Sequence, residues 1–254
     1  MKNKILLFIP IFNCEIQIKR LLRKLERNDL ELIQEILIID NRSTDNSILE
    51  LKKNLIKMKF NIRLKLIQND FNYHLGGSHK IALNYALEND FEGLIIMHGD
   101  DQTDLSYLTN VLKEKKNYLG ARFIDESNLP GYNIVRILGN KVFNFLFSII
   151  IKKKVYDIGC GLNYFQLENF KDKEYLNFPD EILYPVYINM FILKNNKSYE
   201  WFPLNWEERD QKSNARLFFD TAKLCILLFK VLFNIKFNYD NKKKYTYKLI
   251  YEKK

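Results

Sequence analysis

The segment His98-Gly99-Asp100-Asp101-Gln102-Thr103-Asp104 gathers one histidine and three carboxylates directly after the aliphatic run Leu94-Ile95-Ile96-Met97. Carboxylates this crowded repel one another unless a cation or hydrogen-bond donors compensate. At a strand end such a cluster suits a divalent cation that bridges to a phosphorylated ligand. A solvated acidic turn fits the spacing equally well. Two further polar clusters follow aliphatic runs, Pro10-Ile11-Phe12-Asn13-Cys14-Glu15 and Asp40-Asn41-Arg42-Ser43-Thr44-Asp45. Asp40 is of the type that accepts a hydrogen bond from a base N–H or a ribose hydroxyl, while Ser43 and Asp45 suit the capping of a helix. In Asn72-Tyr73-His74-Leu75-Gly76-Gly77-Ser78-His79-Lys80, two glycines precede a helix, where backbone can approach a phosphate closely. The alternative there is a glycine turn with Lys80 in water.

These clusters need elements to hold them. Short aliphatic runs alternate with helical patterns: residues 5–9 then 16–25, 36–39 then 48–58, 64–67 then 81–87, and 94–97 then 105–112. The alternation predicts an α/β fold with a mostly parallel sheet flanked by helices. All three clusters then fall at the carboxyl edge of one sheet, where such folds bind ligands. The second half is less regular, with helices expected over 136–151 and 180–193 and strand-like pieces near Val155 and over 162–165. An amphipathic apolar helix over 218–237 and a lysine-rich tail follow. The expected organisation is one domain over 1–214 and a C-terminal appendage over 215–254.

With 254 residues, 47% of them hydrophobic, the chain can bury one large core. Its formal charge of +9 points to an anionic partner: nucleic acid, a phospholipid surface or a phosphorylated substrate. Basic residues are not interleaved with aromatic ones in a recognisable motif, which argues against nucleic acid. Cys14, Cys160 and Cys225 are odd in number and far apart, so a reducing compartment is expected and neither zinc nor disulfide chemistry. The first aliphatic run is too short for a signal peptide. No stretch approaches the roughly 20 apolar residues of a membrane span. A cytoplasmic protein is expected, peripheral at the cytoplasmic membrane face: the runs 142–151 and 218–237, each with lysines after it, suit docking on an anionic inner leaflet.

In order along the chain, these segments resemble the family-2 glycosyltransferases of GT-A fold, in the branch of dolichol-phosphate mannosyltransferase and bacterial polyprenyl-phosphate glycosyltransferases. Pro10-x-Phe12-Asn13-x-Glu15 is similar to that family's Pro-x-Tyr-Asn-x-Glu. Ile39-Asp40-Asn41-Arg42-Ser43-Thr44-Asp45 is similar to Val-Asp-Asp-Gly-Ser-Thr-Asp, and His98-Gly99-Asp100-Asp101-Gln102 to Asp-x-Asp-x-Gln. Gly120-Ala121-Arg122-Phe123, Arg136-Ile137-Leu138-Gly139-Asn140, Asp157-Ile158-Gly159-Cys160-Gly161 and Arg209-x-x-x-Ser213 resemble later signatures. The resemblance implies an inverting transfer from a UDP- or GDP-linked sugar to a polyprenyl phosphate. Pro10, Phe12, Asn13, Glu15, Asp40, Asn41, Gly77, Lys80 and Asp100 would hold the nucleotide-sugar. Asp100, Gln102 and His98 would face Mg²⁺ or Mn²⁺, and Arg122, Arg136, Arg209 and Ser213 the acceptor phosphate. Asp100, Asp157, Arg122 and Arg136 would be catalytic, with Asp157 as the base. The family also places an amphipathic helix near 142–151.

Several positions depart from the pattern. His98 stands at the first Asp of Asp-x-Asp; imidazole suits Mn²⁺ better than Mg²⁺, and Asp101 is the alternative ligand. Asn41 removes a charge from the second motif, and Gln211 replaces a glycine. Asp180 and Glu181 rival Asp157 as the base, although carboxylates in a helix's first turn also suit its dipole. His79 is expected on a helix surface. Two other functions fit these residues: a same-fold transferase acting on a saccharide hydroxyl, and a catalytically silent nucleotide-binding module.

Overall fold

The structure is a computed structural model that describes residues 4–27, 30–58, 62–210, 217–237 and 243–253. Eight strands form one sheet: β1 (Ile5–Ile11), β2 (Ile33–Asp40), β3 (Arg63–Asn69), β4 (Gly93–Ile96), β5 (Asn117–Ala121), β6 (Asn163–Gln166), β7 (Tyr199–Pro203) and β8 (Tyr247–Lys253). Their order is β7-β5-β6-β4-β1-β2-β3-β8. The four aliphatic runs supply β3, β2, β1 and β4, which pair in parallel. All seven residues of β1 are buried, as a strand covered on both faces requires. Leu6 and Phe8 point into one core layer and Ile5, Leu7 and Ile9 into the other.

The helices are α1 (Glu15–Arg27), α2 (Ser47–Leu55), α3 (His74–Glu88), α4 (Ser106–Thr109), α5 (Ile134–Ile151), α6 (Tyr184–Lys194) and α7 (Leu217–Leu232). In α1, Ile18, Leu21, Leu22 and Leu25 recur at helical spacing and are buried. α4 is one turn long, where a longer helix over 105–112 was expected. Strands β5, β7 and β8 come from mixed polar and aromatic segments without an aliphatic run. β8 lies antiparallel on β3 and covers that edge of the sheet. The segment expected to be an appendage thus joins the main sheet through β8 and the core through Leu227, Leu228 and Val231 of α7.

Two sequence expectations need correcting here. α5 is 18 residues long with mean hydropathy 1.7, and only 11% of it is buried, so by length and composition it can cross a membrane. The expectation that no stretch does so overlooked Ile134 to Leu138, the first turn of α5. His79 is buried rather than on a helix surface, with its ring edge-on to Phe8 at 5.2 Å between centroids.

Lys80 of α3 is also buried, and its Nζ donates to the Phe178 carbonyl at 2.6 Å and to Asp180 Oδ1 at 2.8 Å. Asp180 accepts as well from Lys243 Nζ and Tyr245 Oη, both at 2.7 Å. Gly76 gives α3 room beside this loop: a Cβ there would lie 2.7 Å from the Asp180 backbone, and its N–H donates to the Asp180 carbonyl at 2.7 Å. Burial opposes ionisation of Asp180, yet hydrogen bonds from Lys243, Lys80 and Tyr245 hold its carboxyl below the ordinary range. Its stabilisation is therefore complete above about pH 4 and is lost as pH falls through the depressed folded value. Lys80→Ala removes one of three donors to Asp180, which keeps Lys243 and Tyr245, so it should lower the urea-unfolding free energy at pH 7 by about 1–3 kcal/mol, and the deficit should shrink below pH 4. An unchanged unfolding midpoint would show that Lys80 has no structural role.

Candidate functional site

The carboxyl ends of β1 and β4 meet at a glycine. The Gly99 N–H donates to the Pro10 carbonyl at 3.1 Å. A Cβ on Gly99 would lie 2.0 Å from Ile11 Cδ1 and 2.8 Å from the Pro10 oxygen. Only a residue without a side chain lets the two strand ends close this far. The junction lies where neighbouring strands leave β1 in opposite directions, the place at which open α/β sheets form a crevice.

On the β1–β2 side, two loops are laced together by side chains. Asn13 donates its N–H to Ser43 Oγ at 2.9 Å and accepts from the Thr44 N–H at 2.8 Å. Glu15 accepts from the backbone and side-chain nitrogens of Asn46, both at 3.1 Å. Cys14 donates its N–H to Ser47 Oγ at 2.9 Å. Asp40 Oδ2 accepts from the Ser43 N–H at 3.1 Å and Gln68 Nε2 at 2.9 Å. Asp40 Oδ1 is buried and has no hydrogen-bond partner among the described residues. A buried carboxylate oxygen without a donor costs roughly 1–3 kcal/mol, which a bound N–H would recover.

The predicted nucleotide residues therefore separate. Asp40 keeps an acceptor to offer, and Phe12 is partly exposed in the loop after β1. Pro10 is buried within β1 and acts through its carbonyl. Asn13 and Glu15 lock the loops, so they shape the crevice rather than line it. Asn41 is buried; it accepts from Asn69 Nδ2 and the Tyr73 N–H and donates to Asn72, fastening β2 to the turn before α3. Gly77 and Lys80 leave the nucleotide set. A Cβ on Gly77 would lie 2.4 Å from Tyr73 Cβ, making it a packing glycine inside α3, and Lys80 is held in the Asp180 pair. Sequence reasoning missed Gln68, which orients Asp40; a lone polar residue near a strand end gave no signal.

In the segment 98–104 the four ionisable residues, His98, Asp100, Asp101 and Asp104, take different directions. Asp101, at φ 62°, turns away to pair with Arg20 and Lys24 of α1, each at 2.7 Å. That excludes it as the alternative metal ligand. Asp104 accepts from the Ser106 N–H at 2.9 Å and caps the turn of α4. His98 packs against Gly161 and lies edge-on to His79, with ring centroids 6.1 Å apart. Its Nε2 is buried without a partner beside a small cavity that His79 and Asn163 line and Asp100 does not. Burial, then the Arg122 charge, brings its pKa down to about 4, so the ring is neutral. His98 is thus not a co-ligand of Asp100. Among the described residues no three His, Cys, Asp or Glu gather as a metal site.

Asp100 itself is raised to about 6, chiefly by burial, against backbone donors at Gln102 and its own N–H. The loop over 204–210 crosses above it: Glu207 N–H donates to the Gln102 carbonyl at 2.8 Å, and Thr103 Oγ1 to the Asn205 carbonyl at 2.9 Å.

Beyond that loop lies the predicted acceptor side. Arg122 grips Asp157 through Nε at 2.6 Å, Nη2 at 2.9 Å and its backbone N–H at 3.1 Å, with Asp157 fully buried. Aromatic rings surround this guanidinium: Trp206 at 5.0 Å, Phe123 at 5.2 Å and Tyr132 at 5.8 Å. Asp157 and Arg122 thus neutralise each other, and the Nε and Nη2 of the guanidinium face this carboxylate. Arg136, on the first turn of α5, stacks on Tyr132 at 4.8 Å and meets Glu208 at 2.5 Å. Arg209 pairs with Glu207 at 2.6 Å and is exposed. Gln211, Lys212 and Ser213 of that signature lie outside the described residues. Of the rival bases, Asp180 sits in the Lys80 pair and Glu181 meets Lys223 at 2.7 Å. Tyr132, Trp206 and Glu208 were not anticipated, since each gains its role only through contacts distant in sequence.

A family model, Glycosyl transferase family 2, matches residues 7–233, and the chain belongs to that family. No curated protein sequence matches the chain. Solved structures share the fold. S. aureus TarS residues 1–349 in complex with UDP-GlcNAc superposes with TM-score 0.56 at 18% identity, covering 89% of this chain and 66% of that one. The chain thus spans about two thirds of that structure's length. Glucosyl-3-phosphoglycerate synthase from Mycobacterium tuberculosis, with Mn²⁺, UDP and glucosyl-3-phosphoglycerate, gives TM-score 0.59 at 11% identity, covering 98% and 87%. Mannosyl-3-phosphoglycerate synthase from Rubrobacter xylanophilus gives 0.57 at 14%, covering 89% and 72%. At these identities the likeness is one of fold.

The raised Asp100 has a measurable sign. Its protonated form contributes stability that is complete below about pH 4 and is lost as pH rises through about 6. Asp100→Asn should raise the melting midpoint of the ligand-free chain at pH 8 by a few degrees, and the gain should shrink as pH falls through about 6 and disappear below about pH 4. A variant that is less stable at pH 8 would mean that the carboxylate is fully compensated.

Proposed function

We propose that this chain transfers a sugar from a uridine-diphosphate donor to a phosphate-bearing lipid acceptor. On the donor side the reading rests on Asp40. Its Oδ2 is occupied and its Oδ1 is free to take one N–H. Uracil offers a single imide N–H, whereas guanine offers two adjacent ones that call for both oxygens. Because Oδ1 is covered, a base enters only with local opening around it. The complexes of TarS with UDP-GlcNAc and of the mycobacterial synthase with UDP lend support by fold likeness.

One observation carries the acceptor. Each carboxylate the sequence offers as a base is bound to a cation: Asp157 to Arg122, Asp180 to Lys80 and Glu181 to Lys223. A hydroxyl acceptor needs a base to take its proton. A phosphate acceptor arrives ionised: its oxygen forms the bond to the anomeric carbon, the bond to the diphosphate breaks, and the electron pair leaves on the diphosphate with no proton moved. Arg136 would turn from Glu208 to this phosphate, with its guanidinium still stacked on Tyr132. Arg136 lies on the first turn of α5, whose exposed apolar side chains suit an acceptor with a hydrocarbon tail.

Asp100 and Gln102 would hold a divalent cation together with donor phosphate oxygens. One carboxylate plus phosphates and water is an accepted set for Mg²⁺ or Mn²⁺, and the withdrawal of His98 leaves a hard, oxygen-rich set with no imidazole preference for Mn²⁺. Such a cation supplies positive charge against the departing diphosphate.

Asp40→Asn turns the free oxygen into either a weaker acceptor or an opposing donor, and should weaken UDP binding roughly 10- to 100-fold by calorimetry with Mg²⁺ or Mn²⁺. Tighter binding of GDP than UDP by the unaltered chain would overturn the uridine assignment. With a radiolabelled UDP-sugar, transfer to polyprenyl phosphate but not to the free polyprenol is expected. Transfer to the alcohol or to an oligosaccharide would overturn the phosphate acceptor and favour a saccharide hydroxyl. UDP binding without turnover on any acceptor would leave the silent binding module.

A further inference from the structure

We infer that Gln68, steadied by Arg42, is the residue that excludes guanine from the donor site, a role that rests on the uridine reading above. Asp40 and Gln68 are paired residues on the neighbouring parallel strands β2 and β3, so their side chains leave the same face of the sheet at its carboxyl edge. Gln68 Nε2 donates to Asp40 Oδ2 at 2.9 Å, and the Ser43 N–H donates to the same oxygen at 3.1 Å. A carboxylate oxygen accepts about two hydrogen bonds. Oδ2 is therefore full, while Oδ1 has no partner among the described residues.

The amide of Gln68 faces one way only. Arg42 Nη1 lies 3.5 Å from its Oε1. A guanidinium only donates and a carboxylate only accepts, so the amide oxygen turns to Arg42 and the nitrogen to Asp40. Arg42 is exposed, and its backbone lies in the left-handed region at φ 65°, which glycine adopts freely and arginine does not. It stands at the glycine position of the Val-Asp-Asp-Gly-Ser-Thr-Asp pattern. Strain of this kind beside a ligand crevice points to a task for the side chain.

The edges of the bases divide the labour between Asp40 and Gln68. Uracil carries its imide N–H between two carbonyl oxygens. The N–H suits Asp40 Oδ1, and either carbonyl can accept the second N–H of Gln68 Nε2, whichever way round the ring lies. Guanine carries a carbonyl on one side of its ring N–H and an amino group on the other. That amino group would need Oδ2 and would meet Gln68 Nε2 instead, donor against donor. Turning the purine over to bring its carbonyl there sends the ribose out on the opposite side. Cytosine and adenine present a bare ring nitrogen at this place, which faces Oδ1 acceptor against acceptor. Asp40 thus rejects cytosine and adenine, and Gln68 rejects guanine. Such mismatches discriminate strongly, because the buried groups lose water and regain no partner.

Calorimetry of the full chain with UDP, GDP and CDP in the presence of Mg²⁺ tests these roles. The unaltered chain should bind UDP roughly 10- to 100-fold more tightly than GDP or CDP. Gln68→Ala opens Oδ2 to the guanine amino group and removes a donor to uracil, so GDP affinity should rise while UDP affinity falls. The preference for UDP over GDP should shrink roughly tenfold, with CDP still excluded by Asp40. Arg42→Gly suits the left-handed backbone and should not lower the melting midpoint, yet it frees the amide to turn and should shrink the same preference about threefold. A full preference for UDP over GDP in both variants would overturn the inference and leave the uridine assignment standing. An equal fall in UDP and GDP affinity would also overturn it, since a merely structural role gives that result. GDP bound as tightly as UDP by the unaltered chain would overturn the uridine assignment itself.

Discussion

The closure of β4 onto β1 at Gly99 is the constraint from which the rest of the site follows. A single N–H to Pro10 and the absence of a Cβ bring the Asp100 turn beside the Phe12 loop. Any side chain at Gly99 would meet backbone oxygen, an atom that cannot rotate away. From that fixed point the lacing of Asn13 and Glu15 to the loop after β2 sets the position of Asp40. The loop over 204–210 closes the other side through Gln102.

Much of the charge in and around the crevice is spent inside the protein. Arg122 with Asp157, Lys80 with Asp180 and Asp101 with Arg20 and Lys24 are internal pairs that position segments far apart in sequence. Breaking such pairs is costly because each partner left behind is a buried charge. They also make the site chemically selective. Asp40 Oδ1 keeps an acceptor that no described residue meets, and burial raises the Asp100 carboxyl to about 6.

The two sides of α5 differ in chemistry. Its inner side carries Asn144, Phe147 and Ser148, which satisfy backbone groups of the segment over 155–158 as well as packing. Its outer side is aliphatic and aromatic without a carboxylate. Length and hydropathy see only the sum of these sides, whereas the hydrogen bonds of the inner side tie the helix to the segment over 155–158.

By itself the sequence determined the parallel core of the sheet, because the aliphatic runs of β1 to β4 bury both faces and alternate with helical periodicity. It also determined that the three polar clusters share one edge, since strand polarity in a parallel sheet places every following loop at the same end. The family was legible for the same reason: its signatures sit in those loops. Side-chain direction was not legible. Lys80, His98 and Asp157 have the types that bind phosphate, metal or proton, and a local reading assigns them so. Only the tertiary structure showed that residues 80 and 180, and 122 and 157, neutralise each other, and that His98 turns toward His79 and Gly161. Partners distant along the chain decide whether a charged group is a tool or a fastening, and a single sequence does not display them. Strand β5 and the edge strands β7 and β8 escaped for a related reason: they are held by pairing to neighbours rather than by an aliphatic run of their own.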